Sequence, residues 1–333
     1  MKPLPVLLLA LFASLSTQVF AQKWCFVVAG DGRSDSKVAR PEDKNGVNVT
    51  ITGEIAQAVI KEKAKFLAWT GDLAMGYQKD PAVFESQLMT WRETMKPLYD
   101  KHIPVLPTRG NHDASSTDAD TVWRKVFSGP YSLPLNGPTG EEDLTFFYGK
   151  GDVLLLGLDQ YGTRKETVNQ GWIDKVLGQY RKPFIFAMGH EPAFMDGSHK
   201  DTMDVDAGAR DVFWESLIKA GSRVFFCGHD HLYDHMIVTR KGSNPGPKMH
   251  QLVAGTAGAP FYPKGDYTGN NTYWNLDRVA HIGNTYGYLL VQIDGNKCTI
   301  TFKGRKSPGV YVPMDSFSFT SPNSPKAGHP RRK

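Results

Sequence analysis

The chain has 333 residues, with 39 Lys plus Arg against 34 Asp plus Glu and a formal net charge of +5. One positive charge lies on Lys2 and four lie on Lys326, Arg331, Arg332 and Lys333, which leaves residues 22–320 close to neutral. A neutral body carries no broad surface for a phosphate backbone, so no nucleic-acid surface is evident, and the length suits one large α/β domain.

The chain opens with Lys2, an apolar run "LPVLLLALFASL" and the small-residue site Val19-Phe20-Ala21. This is the pattern of a signal peptide over 1–21, cut before Gln22, and it predicts export to a periplasm or the exterior. No later segment has the uninterrupted apolar length of a membrane helix, so no membrane span is expected after cleavage. Short apolar runs then recur: 26–30, 65–71, 104–110, 153–159, 184–189, 223–228 and 251–258. Helical patterns fill the gaps at about 53–64, 81–101, 167–181 and 206–220. Strands that are apolar throughout and alternate with helices predict a sheet buried on both faces. Residues 286–304 read as a hairpin around Asp294-Gly295-Asn296. The segments 114–151 and 259–285 read as long irregular loops. The second is rich in aromatic residues (Phe261, Tyr262, Tyr267, Tyr273, Trp274) and carries His281, making it a candidate pocket wall or lid. The main domain is expected over 22–320, followed by a basic, Pro- and Ser-rich disordered tail at 321–333.

Three cysteines follow the leader: Cys25, Cys227 and Cys298. In an oxidising compartment one pair can bridge, with Cys25 and Cys298 the expected partners. Cys227 lies inside an apolar strand, where a thiol behaves as a small hydrophobe.

Five apolar runs end alike, in "AGDGR", "TGDLA", "RGNHDA", "MGHEP" and "CGHDH". Each places Asp, Asn or His directly after a glycine. In an α/β sheet the carboxyl ends of parallel strands meet along one edge, where ligands bind. Singly, each ending is an ordinary turn or helix cap. Together they gather four Asp, one Asn and four of the ten His in the chain.

This order of motifs resembles the calcineurin-like metallophosphoesterases, over roughly residues 26–260, and "AGTAGAPFY" fits it as well. The resemblance implies a four-layer α/β/β/α sandwich with two divalent or mixed-valence ions (Fe, Mn or Zn) at one end of paired sheets. It implies Asp72 as the bridging ligand, Asp31 and His231 for the first ion, and Asn111, His190 and His229 for the second. Hydroxide held between the ions would attack the phosphorus of a small-molecule phosphoester. His112 would serve the leaving-group side, oriented by Asp113. Glu191 and Asp230, between ligands, read as outer partners or caps. His199, His235, His250 and His281 are further candidates for substrate contact, and Asp159 reads as a turn or a residue at the site edge.

Position 33 departs from the family pattern, which has a His ligand there. Arg33 cannot donate a lone pair to a metal. Its candidate role is a cation beside the entering phosphate, the alternative being a salt bridge to a nearby acid such as Asp35. The missing ligand can be made up by water, or by Tyr77, because purple acid phosphatases also lack that His and use a tyrosine after Gly-Asp. The remaining alternative is a non-catalytic or single-metal binding protein on the same scaffold.

Overall fold

The computed structural model describes residues 23–35, 40–41, 43–162, 165–195, 197–262 and 271–323. The leader, Tyr267 and most of the basic tail lie outside that set. The first half of the chain runs β1 (Trp24–Ala29), β2 (Asp43–Lys44), β3 (Val47–Asn48), α1 (Val49–Lys61), β4 (Leu67–Trp69), α2 (Pro81–Thr94) and α3 (Lys96–Tyr99). It continues through β5 (Val105–Pro107), α4 (Asn111–Ala114), α5 (Ala119–Val126), β6 (Phe146–Lys150) and β7 (Val153–Gly157). The second half runs α6 (Gln170–Gln179), β8 (Phe184–Met188), α7 (Ala207–Ala220), β9 (Val224–Cys227), β10 (Tyr233–Arg240) and β11 (Met249–Ala254). It closes with β12 (Trp274–Ile282), β13 (Gly287–Asp294), β14 (Lys297–Ser307) and β15 (Val310–Thr320).

Two large sheets result, ordered β15-β14-β13-β1-β4-β5 and β12-β10-β11-β9-β8-β7-β6. In the first, β1, β4 and β5 are parallel, and β13 joins β1 antiparallel. In the second, β11, β9, β8 and β7 are parallel. The expected hairpin belongs to the first sheet, as β13 and β14.

The inward strands are apolar throughout because both faces are covered. Val153 and Leu155 belong to the core between the sheets, whereas Leu154 and Leu156 pack with α6 and α7. Phe26 of the first sheet meets Phe186 and Phe226 of the second at 5.6 and 6.5 Å. This two-residue alternation with helices outside gives the expected four-layer α/β/β/α sandwich. Asn48, Asp80, Asn169 and Asp206 cap their helices by accepting a backbone N–H, and Gly221 closes α7 at φ 87°. Among the described residues no helix is long and apolar enough to cross a membrane.

Several expectations need correction. The helix at 81–101 breaks at Met95, because Pro97 has no N–H to continue the ladder. The segment 114–151 carries α5 and β6, and 259–285 carries β12, an edge strand paired to β10. Its alternating exposure leaves no apolar run to read. The start of the tail at 321–323 is docked: Asn323 Nδ2 donates to the carbonyls of Ala220 at 2.8 Å and Lys182 at 3.1 Å.

The expected Cys25–Cys298 bridge is absent, and all three cysteines are buried thiols outside any disulfide. Strand β13 lies between them: Cys25 pairs with Gln292, and Ile293 pairs with Cys298. Two strand spacings of about 4.8 Å exceed the roughly 7 Å limit for a disulfide.

Candidate metal centre

The carboxyl ends of β1, β4, β5, β8 and β9 converge on one edge of the paired sheets. Asp31, Asp72 and His229 have left-handed backbones, at φ 63°, 50° and 72°. Side chains in that region are uncommon and cluster at functional sites. The preceding glycines are set by close approach. A Cβ on Gly110 would lie 2.1 Å from Asp72 Oδ1, and one on Gly228 would lie 2.2 Å from Asp31 Oδ2. No larger residue fits behind either carboxylate.

All six expected ligands meet there. Asp31, Asp72 and His190 each offer a ligand atom within 4.8 Å of the others. Asn111 Oδ1 lies 3.0 Å from His190 Nε2, and His231 Nε2 lies 3.7 Å from Asp31 Oδ1. The His229 ring stands edge-on to His190, and its backbone N–H donates to both oxygens of Asp31 at 3.2 Å. His190 Nδ1 is fixed by the Thr70 carbonyl at 2.7 Å and His231 Nδ1 by that of Pro260 at 2.6 Å. Each anchored ring keeps its Nε2 toward the site, the usual way to orient a metal-binding imidazole.

The electrostatics call for a cation. Burial, then the neighbouring Asp72, drives the Asp31 carboxyl well above its ordinary pKa. At Asp72 burial acts upward too, but His112, His190 and Arg33 outweigh it and hold the group low. Glu191 is pushed up to about 8 by burial, against the pull of His229. Burial alone would lower His229; the carboxylates of Glu191, Asp201 and Asp230 reverse this and raise it to about 10. Two further sets, His190–Glu191–His229 and His199–Asp201–His229, also bring ligand atoms within 4.8 Å. Buried carboxylates crowded among imidazoles fit a divalent ion of the Mn, Fe or Zn type.

His112 sits beside these groups, with Nε2 3.8 Å from Asp72 Oδ2 and Nδ1 2.5 Å from the Met75 carbonyl. That carbonyl, not Asp113, orients the ring. The Asp113 carboxylate instead accepts the backbone N–H groups of Gly110 and Leu73 at 3.0 and 3.1 Å, so it holds the two strand-end turns together.

Tyr77 is also placed differently from expectation. Left-handed Gly76 and Tyr77 turn the chain back onto the His112 carbonyl. The Tyr77 hydroxyl accepts from Asn111 Nδ2 at 2.7 Å, and its ring packs on His112 at 4.4 Å. It thereby directs the amide oxygen of Asn111 toward His190. The tyrosine beside His231 is Tyr262, stacked at 4.1 Å with its hydroxyl 3.0 Å from Arg33 Nη2.

Arg33 is buried and pairs with Asp72, its Nε 3.6 Å from Oδ2. Glu191 reaches His229 directly, whereas Asp230 accepts from the backbone of Ser198 and His199. His199 packs on His229 at 4.1 Å and Asp201 touches both. His235 bonds Asp315 through Nδ1 and His250 through Nε2, and His281 pairs with Asp234. Asp159 grips the buried Arg109 through both oxygens, at 2.8 and 2.9 Å, two residues before Asn111.

A family profile for calcineurin-like phosphoesterases matches residues 49–233, over half of the chain. The chain belongs to that family. No curated protein matches this chain in sequence. Its fold is similar to that of a purple acid phosphatase from yellow lupin (Lupinus luteus) seeds, with a TM-score of 0.64 and 14% identity. That match covers 94% of this chain but 58% of the lupin chain. A dimetal phosphatase from Danio rerio aligns at a TM-score of 0.57 and 13% identity, covering 90% of this chain and 99% of its own. GAP50, the anchor in the inner membrane complex of Plasmodium, aligns at 0.61 and 11% identity, covering 90% and 89%.

Proposed function

We propose that the chain is an exported, divalent-metal-dependent hydrolase that cleaves the phosphoester bond of a small-molecule monoester or diester. The observation that carries this reading is the pair of buried carboxylates, Asp31 and Asp72, ringed by Asn111, His190, His229 and His231 with His112 alongside. Export rests on the leader at 1–21.

Asp72, Asn111, His190 and His229 would hold a cation, with Asp31 and His231 completing the wall opposite. Such an ion, when bound, would lower the pKa of water and neutralise phosphoryl oxygens. His112, fixed at Nδ1 by Met75, presents Nε2 to the site and can deliver a proton from that atom to the departing oxygen. Asp113 keeps the Asp72 and Asn111 turns in register through its two backbone contacts. The lupin and Danio rerio phosphatases, being of like fold, support the reaction class.

The test is turnover of an aryl phosphate and an aryl phosphodiester by metal-analysed protein, with and without Mn²⁺, Zn²⁺ or Fe²⁺. Metal-dependent release of phenolate is expected. No turnover with any metal would favour the second reading, a non-catalytic binding protein. The observation behind that alternative is Arg33, whose guanidinium already answers the charge of Asp72. The Plasmodium protein, of like fold, is described as an anchor and supports that alternative.

A further inference from the structure

We infer that this centre holds one divalent cation, seated on the side of His190, Glu191 and His229, with the Arg33 guanidinium standing where a second cation would otherwise sit. The inference rests on the metal-dependent reading above and specifies its stoichiometry.

On one side, the buried guanidinium of Arg33 spans the gap between Asp72 and the His231–Tyr262 stack. Nε lies 3.6 Å from Asp72 Oδ2, Nη1 donates to the Ser34 carbonyl at 3.0 Å, and Nη2 donates to the Tyr262 hydroxyl at 3.0 Å. The Tyr262 ring lies flat on His231 at an angle of 14°, closing that flank. A guanidinium keeps its charge at any working pH and cannot be a ligand. A divalent ion shared by Asp31, Asp72 and His231 would therefore face a fixed positive charge in a buried place.

On the other side the chain supplies an extra carboxylate. Glu191 Oε1 is fixed by the Tyr161 hydroxyl at 2.5 Å, and its backbone N–H by Gln160 Oε1 at 2.7 Å. Oε2 is buried, accepts no hydrogen bond, and lies 3.2 Å from His229 Nε2. A buried carboxylate oxygen that faces an imidazole nitrogen without a hydrogen bond suits a cation placed between the two. Asp201, from the loop above, brings a second oxygen to 3.2 Å from the same His229 nitrogen. With His190 and Asn111 adjoining, this set offers two imidazoles, an amide oxygen and carboxylates, enough for one ion of the Mn, Fe or Zn type. The guanidinium on one side and the added carboxylates on the other move the cation site in the same direction.

The experiment is elemental analysis of the full chain after saturation with Mn²⁺ or Zn²⁺, with affinity from chelator competition. One ion per chain is expected. Glu191→Gln should bind it at least about tenfold more weakly, while its melting temperature in chelator stays that of the parent. Asp201→Asn, at a partly exposed loop, is the second variant if Glu191→Gln fails to fold, and should also weaken binding. Arg33→His should bind a second ion. Two ions in the parent chain, or parental affinity in the Glu191 and Asp201 variants, overturns the inference. One bound ion with no phosphoester turnover would remove the hydrolase reading and leave this one standing. Turnover that needs two ions would do the reverse.

Discussion

His112→Gln separates proton delivery from metal binding, because the two functions use different atoms of one residue. The backbone N–H of His112 donates to Asp72 Oδ1 at 3.1 Å and survives any side-chain change. The ring contributes through Nε2 alone, since Nδ1 is committed to the Met75 carbonyl. General-acid help is typically worth about 10²–10⁴-fold, or roughly 3–5 kcal/mol of barrier at 1.36 kcal/mol per decade. A donor matters most where the leaving oxygen is a strong base. An alkyl phosphate should therefore lose close to the full factor, and p-nitrophenyl phosphate at least about tenfold less, with metal per chain unchanged. Burial lowers the pKa of this imidazole, against the pull of Asp72. Donation needs the imidazolium, so kcat/KM for the alkyl ester should fall as pH rises through a value below the ordinary ~6.5. Steady-state kinetics on both esters, beside elemental analysis, decides the matter. Equal losses on the two substrates, or loss of metal, would refute the assignment.

Arg109→Met should destabilise the fold by about 3–5 kcal/mol in urea unfolding, because it leaves the fully buried Asp159 without its cation. A loss under about 1 kcal/mol would show that the pair is dispensable. His250 is held down to about 3 by burial and by His235, so the unfolded chain takes up its proton first as pH falls. That penalty is absent above pH ~6.5, grows toward pH ~3, and reaches about 2 kcal/mol at pH 5. His250→Asn, which keeps a partner for His235 Nε2, should flatten the stability profile over that range, and an unchanged slope would count against it. All three cysteines should react with a thiol reagent in denaturant without reductant; finding a single reactive thiol would restore the Cys25–Cys298 bridge.

The strand ends were legible because each has the same local form, an apolar run, a glycine and a polar side chain. That form follows from burial on both sheet faces and close packing at one edge, and both leave residue-level marks. The edge strands left weaker marks. One face of β12 and β15 is open to water, and Pro313 and Asp315 interrupt the second, so neither shows an apolar run. The break at Met95 was within reach, since Pro97 is visible in the sequence, but the apolar period on either side outweighed it.

What sequence could not convey is which groups face each other across the site. Arg33 meets Tyr262 across 229 residues and Asp72 across the turn after β4, so its role depends on a sheet order that no local pattern encodes. Asp113 follows His112 directly, yet successive residues in a helical turn point apart, and its oxygen caps the Gly110 amide instead. Glu191, next to His190, reads in the sequence as an outer partner or cap for the same reason. Its weight comes from Tyr161 and Gln160, thirty-odd residues earlier on the end of β7, which fix one carboxylate oxygen and the backbone and leave the other oxygen beside His229. The chemistry at positions 33 and 191 is therefore a property of the pair of sheets: a cation gained on one strand end changes what the carboxylate on another is free to bind.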